Sequence, residues 1–184
     1  MRERKPKRLD EEGLRTAALR MLGARGYSIS ELRDKLRRRA ERAEDVERVM
    51  ASLKEYGYLN DSRFAEAYAH ARLHNEGHGS RRVLRDLRGK RVAPAVADRA
   101  VKQAFEGTDE VALVEQYLAR KYRNTDLHAL LQDAKKLAAV YRRLRYAGFG
   151  PGPVIGVLKR YASRAEELEG LDEEEEPRGG EGRE

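Results

Sequence analysis

Apolar residues recur along this chain at steps of three and four, and almost nowhere at steps of two. Leu14, Ala17, Ala18, Met21 and Leu22 share one helix face, as do Val46, Val49, Met50 and Leu53, then Phe64, Ala65, Tyr68 and Ala71. The same spacing runs through Val96, Ala100, Val101 and Ala104, through Leu113, Tyr117 and Leu118, and through Leu137, Val140, Tyr141 and Leu144. Isoleucine is confined to Ile29 and Ile155, so little favours strands and the pattern predicts an all-α fold. Breaks fall at Gly26, Gly57, Gly77-His78-Gly79, the Arg91 to Pro94 region, Gly107-Thr108-Asp109, Arg123 to Asp126 and Gly148-Phe149-Gly150-Pro151, leaving nine helices. Ser28 with Glu31, and Asp61 before Phe64, read as helix N-caps whose side-chain oxygens accept from unpaired backbone N–H groups.

A finer motif repeats three times. Leu36-Arg37, Leu87-Arg88 and Leu144-Arg145 each follow an apolar residue four positions earlier, at Leu32, Val83 and Val140. The register steps of 51 and 57 residues are too long for two-helix repeats of roughly 33 to 45 residues and suit units of three short helices. The expected division is a basic N-terminal arm over 1–9, three-helix repeats over 10–60, 61–107 and 108–164, and an acidic disordered tail over 165–184. With short joints, these helix-turn-helix-like repeats are expected to form an elongated, curved monomer able to lie along a groove.

Charge sharpens this picture. The whole chain carries +7, yet from Glu166 onward ten acids face only Arg178 and Arg183, a net of −8, which leaves +15 on residues 1–165. A body that basic attracts polyanions, and the tail either solubilises the chain or folds back onto the body as a competitor. With no Cys there is no disulfide framework and no Cys-based zinc site. The basic start from Met1 to Arg8 lacks a following apolar stretch, and no run approaches the roughly 20 apolar residues that span a bilayer. A cytoplasmic chain without membrane contact is expected.

The cations concentrate beside the apolar pairs of the three middle helices. The first offers Arg33, Arg37 and Arg38; the second Arg81, Arg82, Arg85, Arg88, Lys90 and Arg91; the third Lys135, Lys136, Arg142, Arg143 and Arg145. Arg81, Arg85 and Arg88 stand at i, i+4 and i+7 on one face. Arginine forks donate two parallel hydrogen bonds to phosphate or carboxylate, so the set is a candidate anion-binding surface; the alternative is a merely solvated helix face. Base reading would want Asn, Gln, Ser or Arg at a recognition-helix start, and Ile29-Ser30-Glu31 and Ser80-Arg81 make a weak code. Most of the nine tyrosines fall on apolar stripes and are expected in cores.

Catalytic chemistry is hard to find. His70, His74 and His78 have i, i+4, i+8 spacing, but Gly77 is expected to end their helix, and no Glu follows His70 as in a His-Glu-x-x-His site. No phosphate-cradling Gly-x-x-x-x-Gly-Lys loop appears. Asp34, Glu66 and Asp86 sit among arginines and are read as ion-pair partners. Neither enzyme activity, cofactor nor metal is expected.

The stretch Gly57-Tyr58-Leu59-Asn60-Asp61-Ser62-Arg63-Phe64-Ala65, preceded by Ser28-Ile29-Ser30-Glu31-Leu32 and followed distantly by Leu144-Arg145-Tyr146-Ala147-Gly148-Phe149, resembles the RecX family of recombinase regulators. The resemblance covers about residues 14 to 163, with Gly57, Tyr58, Asp61, Phe64, Gly148 and Phe149 as its structural motif. Where that family often has Gly before an apolar residue after each middle helix, this chain keeps Gly148-Phe149 but has Ala40 and Arg91-Val92. The resemblance implies tandem three-helix repeats that bind the RecA filament on DNA and lower strand exchange, DNA-dependent ATP hydrolysis and co-protease activity, with DNA as a secondary partner.

Overall fold

Each apolar stripe closes into a helix because its buried positions return to one side every three or four residues. The computed structural model describes residues 8–168, with the backbone alone for Glu167. Among the described residues are α1 (Glu11–Ala24), α2 (Ile29–Arg37), α3 (Ala43–Glu55), α4 (Asp61–Ala71), α5 (Ser80–Gly89), α6 (Pro94–Ala104), α7 (Glu110–Lys121), α8 (Leu127–Leu131), α9 (Ala134–Tyr146) and α10 (Pro151–Leu158). A π-helical turn, Arg72–Glu76, continues α4, and a 3-10 turn, Ser163–Leu168, follows α10. The fold is all-α; an isolated bridge between Leu9 and Ala40 is the one β-type pairing among the described residues.

The helix beyond the nine expected is α8. Asp126 starts it by accepting from the Ala129 N–H at 3.1 Å, and Leu131 is its single buried residue, too little to show periodicity. Within the span expected to be tail, Ala165 and Leu168, three apart, are buried against the core of the preceding helices. Residues 1–7 and 169–184, holding most of the expected arm and tail, lie outside the described residues.

Contacts divide the chain into two units, one reaching Ala71 and resuming over Leu84–Ala104, the other taking Arg72–Val83 and everything from Phe105. In the first, α1, α2 and α3 pack together around Leu14, Leu32, Leu36, Val46, Val49 and Leu53, and α4 lies against α6. In the second, α7 and α9 pack on α10 around Leu118, Leu137, Tyr141, Leu144, Phe149 and Leu158, with α8 beside α9. In this division Arg72–Val83, inside the expected second repeat, groups with residues of the expected third.

A backbone contact explains this grouping. The Gly79 N–H donates to the Ala147 carbonyl at 2.9 Å and the Arg81 N–H to the Gly148 carbonyl at 3.3 Å. Gly148 holds φ +99, and a Cβ there would lie 2.7 Å from the Gly79 carbonyl oxygen and collide with the Arg82 backbone. Only paired glycines let these two chains approach so closely.

In the first unit the start of α2 is a clamp. Ser28 is buried; its Oγ accepts from the Glu31 N–H at 3.1 Å and donates to the Lys90 carbonyl at 2.7 Å, so the capping box read from the sequence also ties α2 to the end of α5. Lys90 Nζ donates to Glu31 at 2.9 Å, and Arg91 pairs with Asp34. Asp61 is not the N-cap of α4. Asn60 is, its Oδ1 accepting from the Arg63 N–H at 3.0 Å, while Asp61 reaches across to the Ile29 N–H at 2.9 Å and satisfies the first turn of α2.

The turn after α5 keeps the left-handed form despite lacking Gly. Arg91 holds φ +56, and the Val92 N–H returns to the Leu87 carbonyl, as Phe149 returns to Leu144 after Gly148. The turn after α2 differs: Arg39 and Ala40 both return to Leu36, and Leu9 pairs with the chain at Arg39 and Glu41.

Two outcomes follow. Gly148→Ala should lower stability by ~3 kcal/mol or more, from strain plus collision, whereas Gly107→Ala, at φ +70 with nothing within 4 Å, should lose only about 1 kcal/mol; denaturant melts compare them. Glu31 feels desolvation that raises its pKa, but the Lys90 ammonium, the Ser28 N–H and Arg25 outweigh it and hold the carboxyl below its ordinary value. A depressed carboxyl contributes stability that is present above the unfolded pKa and lost as pH falls. The melting-temperature gap between the parent and Glu31→Gln should therefore close as pH drops from about 5 to about 3, and a gap independent of pH would refute the linkage.

Candidate anion-binding surface

The apolar pairs of the middle helices are buried as a set: Leu32 and Leu36 on α2, Val83 and Leu87 on α5, Val140 and Leu144 on α9. The cations beside them do not share one fate. On α2, Arg33 is half-buried with Nε 3.3 Å from Glu47, and Arg37 donates to the same carboxylate at 2.8 Å, leaving Arg38 exposed at the helix end. Two of the three first-repeat candidates are therefore bound to α3.

On α5, Arg81, Arg85 and Arg88 are exposed, and Arg88 lies 3.3 Å from Asp98, itself exposed. Arg82 is half-buried with its guanidinium 4.7 Å from the Tyr146 ring centroid. Lys90 and Arg91 belong to the clamp around α2, and Lys90 also stands 5.3 Å over the Tyr68 ring. The sequence reading gave these three to a partner; here the chain's own acids and rings engage them, an assignment that requires knowing which helices meet.

On α9, Lys135, Lys136, Arg142 and Arg143 are exposed. The Asp133 carboxylate accepts from the Lys135 and Lys136 N–H groups at 2.8 and 3.1 Å, and the Lys136 bond leads the effects that hold its pKa below the ordinary value. Arg143 donates to the Tyr122 hydroxyl at 3.0 Å. Arg145 is half-buried and donates to the Phe149 carbonyl at 2.6 Å, so it fastens the turn after its own helix.

Of the motif residues, Gly57 holds φ +73 and closes α3, Phe64 is half-buried, and Phe149 is fully buried with Tyr117 edge-on at 5.6 Å. Tyr58 departs from the expectation for tyrosines, being 59% exposed. Tyr56 and Tyr146 are exposed as well, at 69% and 66%, and Tyr141 is the one fully buried tyrosine. Sequence reasoning missed these rings because Tyr56 and Tyr58 follow the end of α3 and Tyr146 is the last residue of α9, where helical periodicity no longer marks a side. Tyr58 and Phe64 border an open groove of about 510 Å³ in the first unit. No cluster of His, Cys, Asp or Glu able to hold a metal occurs among the described residues, and none of their helices is long and apolar enough to cross a membrane.

Known proteins agree with this architecture. Residues 15–53 match the family model described as RecX, first three-helix domain, and residues 60–101 the one described as RecX, second three-helix domain. The regulatory protein RecX of Streptomyces lividans is 33% identical over 169 residues, covering 92% of this chain and 86% of that relative. Its counterpart in Legionella pneumophila (strain Corby) is 29% identical over 147 residues, covering 80% and 93%. The crystal structure of RecX from Lactobacillus salivarius superposes with a TM-score of 0.59 at 21% identity over 83% of this chain and 96% of that one. Another crystal structure, of a regulatory protein RecX, gives 0.63 at 20% over 82% and 73%. With a shared helical fold and one-third identity across nearly its full length, the chain belongs to the RecX family of regulatory proteins.

Proposed function

We propose that this chain is a non-enzymatic regulator that binds the RecA filament on DNA, in the filament's helical groove, and inhibits it by limiting growth or promoting disassembly. Strand exchange, DNA-dependent ATP hydrolysis and co-protease activity fall as a consequence. The observation that carries this reading, beside family membership, is the set of exposed cations on α5 and α9, with Arg38 at the end of α2. Arg38, then Arg81, Arg85 and Arg88, then Lys135, Lys136, Arg142 and Arg143 are the residues proposed to meet the filament. Contacts of modest strength on one chain add through effective concentration, so no single face has to bind tightly.

A second reading is supported by the same exposed guanidinium groups: a stand-alone DNA- or RNA-binding protein acting through phosphates. The two diverge with salt. Phosphate binding alone loses affinity linearly in log salt, in proportion to the phosphates neutralised. A filament regulator should suppress the ATPase of preformed RecA filaments at substoichiometric amounts, at salt where bare-DNA binding is already weak. Tight DNA binding with the ATPase untouched would sink the filament reading.

Reversing charge at Arg81, Arg85 and Arg88 together should weaken inhibition by about tenfold or more. It should shift thermal stability little, because all three side chains are exposed, and an exposed pair such as Arg88 with Asp98 is worth about 0–1 kcal/mol. Lys90→Ala should do the reverse, lowering stability through the clamp while leaving inhibition by the folded protein near parental. An α5 triple variant that inhibits like the parent would reduce that face to a solvated one.

A further inference from the structure

Tyr58 stands in water in a chain with few apolar residues to spare, and its ring is one wall of the groove in the first unit. Tyr27 and Phe64 contribute further ring surface, Asn60 and Arg63 the polar groups, and Gly57 an open stretch of backbone. Nothing lies within 4 Å of where a Cβ on Gly57 would be, so a flat ligand meets no side chain there. Tyr27 has the Arg25 guanidinium 3.7 Å from its ring centroid, and Phe64 packs with Tyr68 at 5.8 Å between centroids. Both rings are therefore held by neighbours, while Tyr58 is exposed.

Its polar groups select among possible occupants. Arg63 is the charged side chain lining it, and no carboxylate does so among the described residues. Asn60 uses its Oδ1 to cap α4, which leaves its side-chain NH₂ to donate outward at the groove's edge. A ring platform, an amide donor and a guanidinium together fit a planar base bearing an acceptor on its edge and a phosphate beside it. An apolar side chain from a protein would use the rings but leave the amide and the guanidinium without acceptors. Duplex bases are stacked on each other and cannot enter.

The geometry points to this groove as a stacking site for an unpaired base of single-stranded nucleic acid, with Tyr58 as the platform, Asn60 at the base edge and Arg63 on the phosphate. The site deepens the DNA contact within the function proposed above. Its test contains no RecA, so failure here leaves filament control standing.

Binding of the full chain to a fluorescent single-stranded oligonucleotide and to a duplex of equal length is followed by anisotropy. With no tryptophan in the chain, tyrosine emission gives an independent signal. Tyr58→Ala should weaken single-strand binding by about 5- to 100-fold with an unchanged salt slope, and leave duplex binding within about twofold. Tyr58→Phe should restore binding, Tyr56→Ala should behave like the parent, and all three should melt with the parent because both rings are exposed. Arg63→Gln should reduce the salt slope by about one phosphate. Unchanged single-strand affinity in Tyr58→Ala overturns the site, as does an equal loss on duplex.

Discussion

One apolar pair per middle helix, four residues apart, decides most of what this chain can be. In a sequence with 39% charged residues, α2, α5 and α9 bury Leu32 with Leu36, Val83 with Leu87 and Val140 with Leu144, to which α9 adds Leu137 and Tyr141. A pair that narrow fixes the rotation of each helix, because turning it would trade a buried Leu for an adjacent Arg, and an unpaired charge does not enter a core. The cationic faces are thus the geometric complement of the cores, and any function they serve uses surface that folding had already left outside.

How far this was legible in the sequence depends on whether a feature is local. Helix positions, the Ser28–Glu31 capping box and the turn at Gly148 follow from residues within a few positions of one another, so they could be read directly. Asp61 could not. Its spacing before Phe64 fits an N-cap, yet Asn60 fills that role one residue earlier and frees Asp61 to bind Ile29, 32 positions away. Gly79 likewise reads as a simple break until its contact with Gly148 is seen. In each case the residue type was informative and the partner was not.

The same limit divides the candidate cations. Lys90 and Arg91 look like an extension of the α5 ridge, but the end of that helix meets the start of α2, where Glu31 and Asp34 wait. Burial raises the cost of leaving Glu31 unpaired, so Lys90 is committed to it in a way that exposed Arg88 is not committed to Asp98. Arg91 also shows that the left-handed turn is required by the fold and not by glycine: the Val92 N–H must return to Leu87, and the chain accepts an unfavourable φ to let it.

Attraction and grip are consequently carried by different residues. In the function proposed above, the exposed cations of α5 and α9 would attract at a distance, weaken with salt and not distinguish one polyanion from another. The stacking proposed at Tyr58 would act only on contact and discriminate by shape, since a ring platform takes an unpaired base and refuses a paired one, leaving the salt dependence there to Arg63. A protein carrying only the first kind of surface would be spread over all nucleic acid present, and one carrying only the second would meet its target slowly. A nucleoprotein polymer with single-stranded segments, the target proposed above, is where both kinds of surface would act together, and on that proposal the guanidinium ridges and the exposed ring of the Gly-Tyr-Leu-Asn-Asp motif share one target.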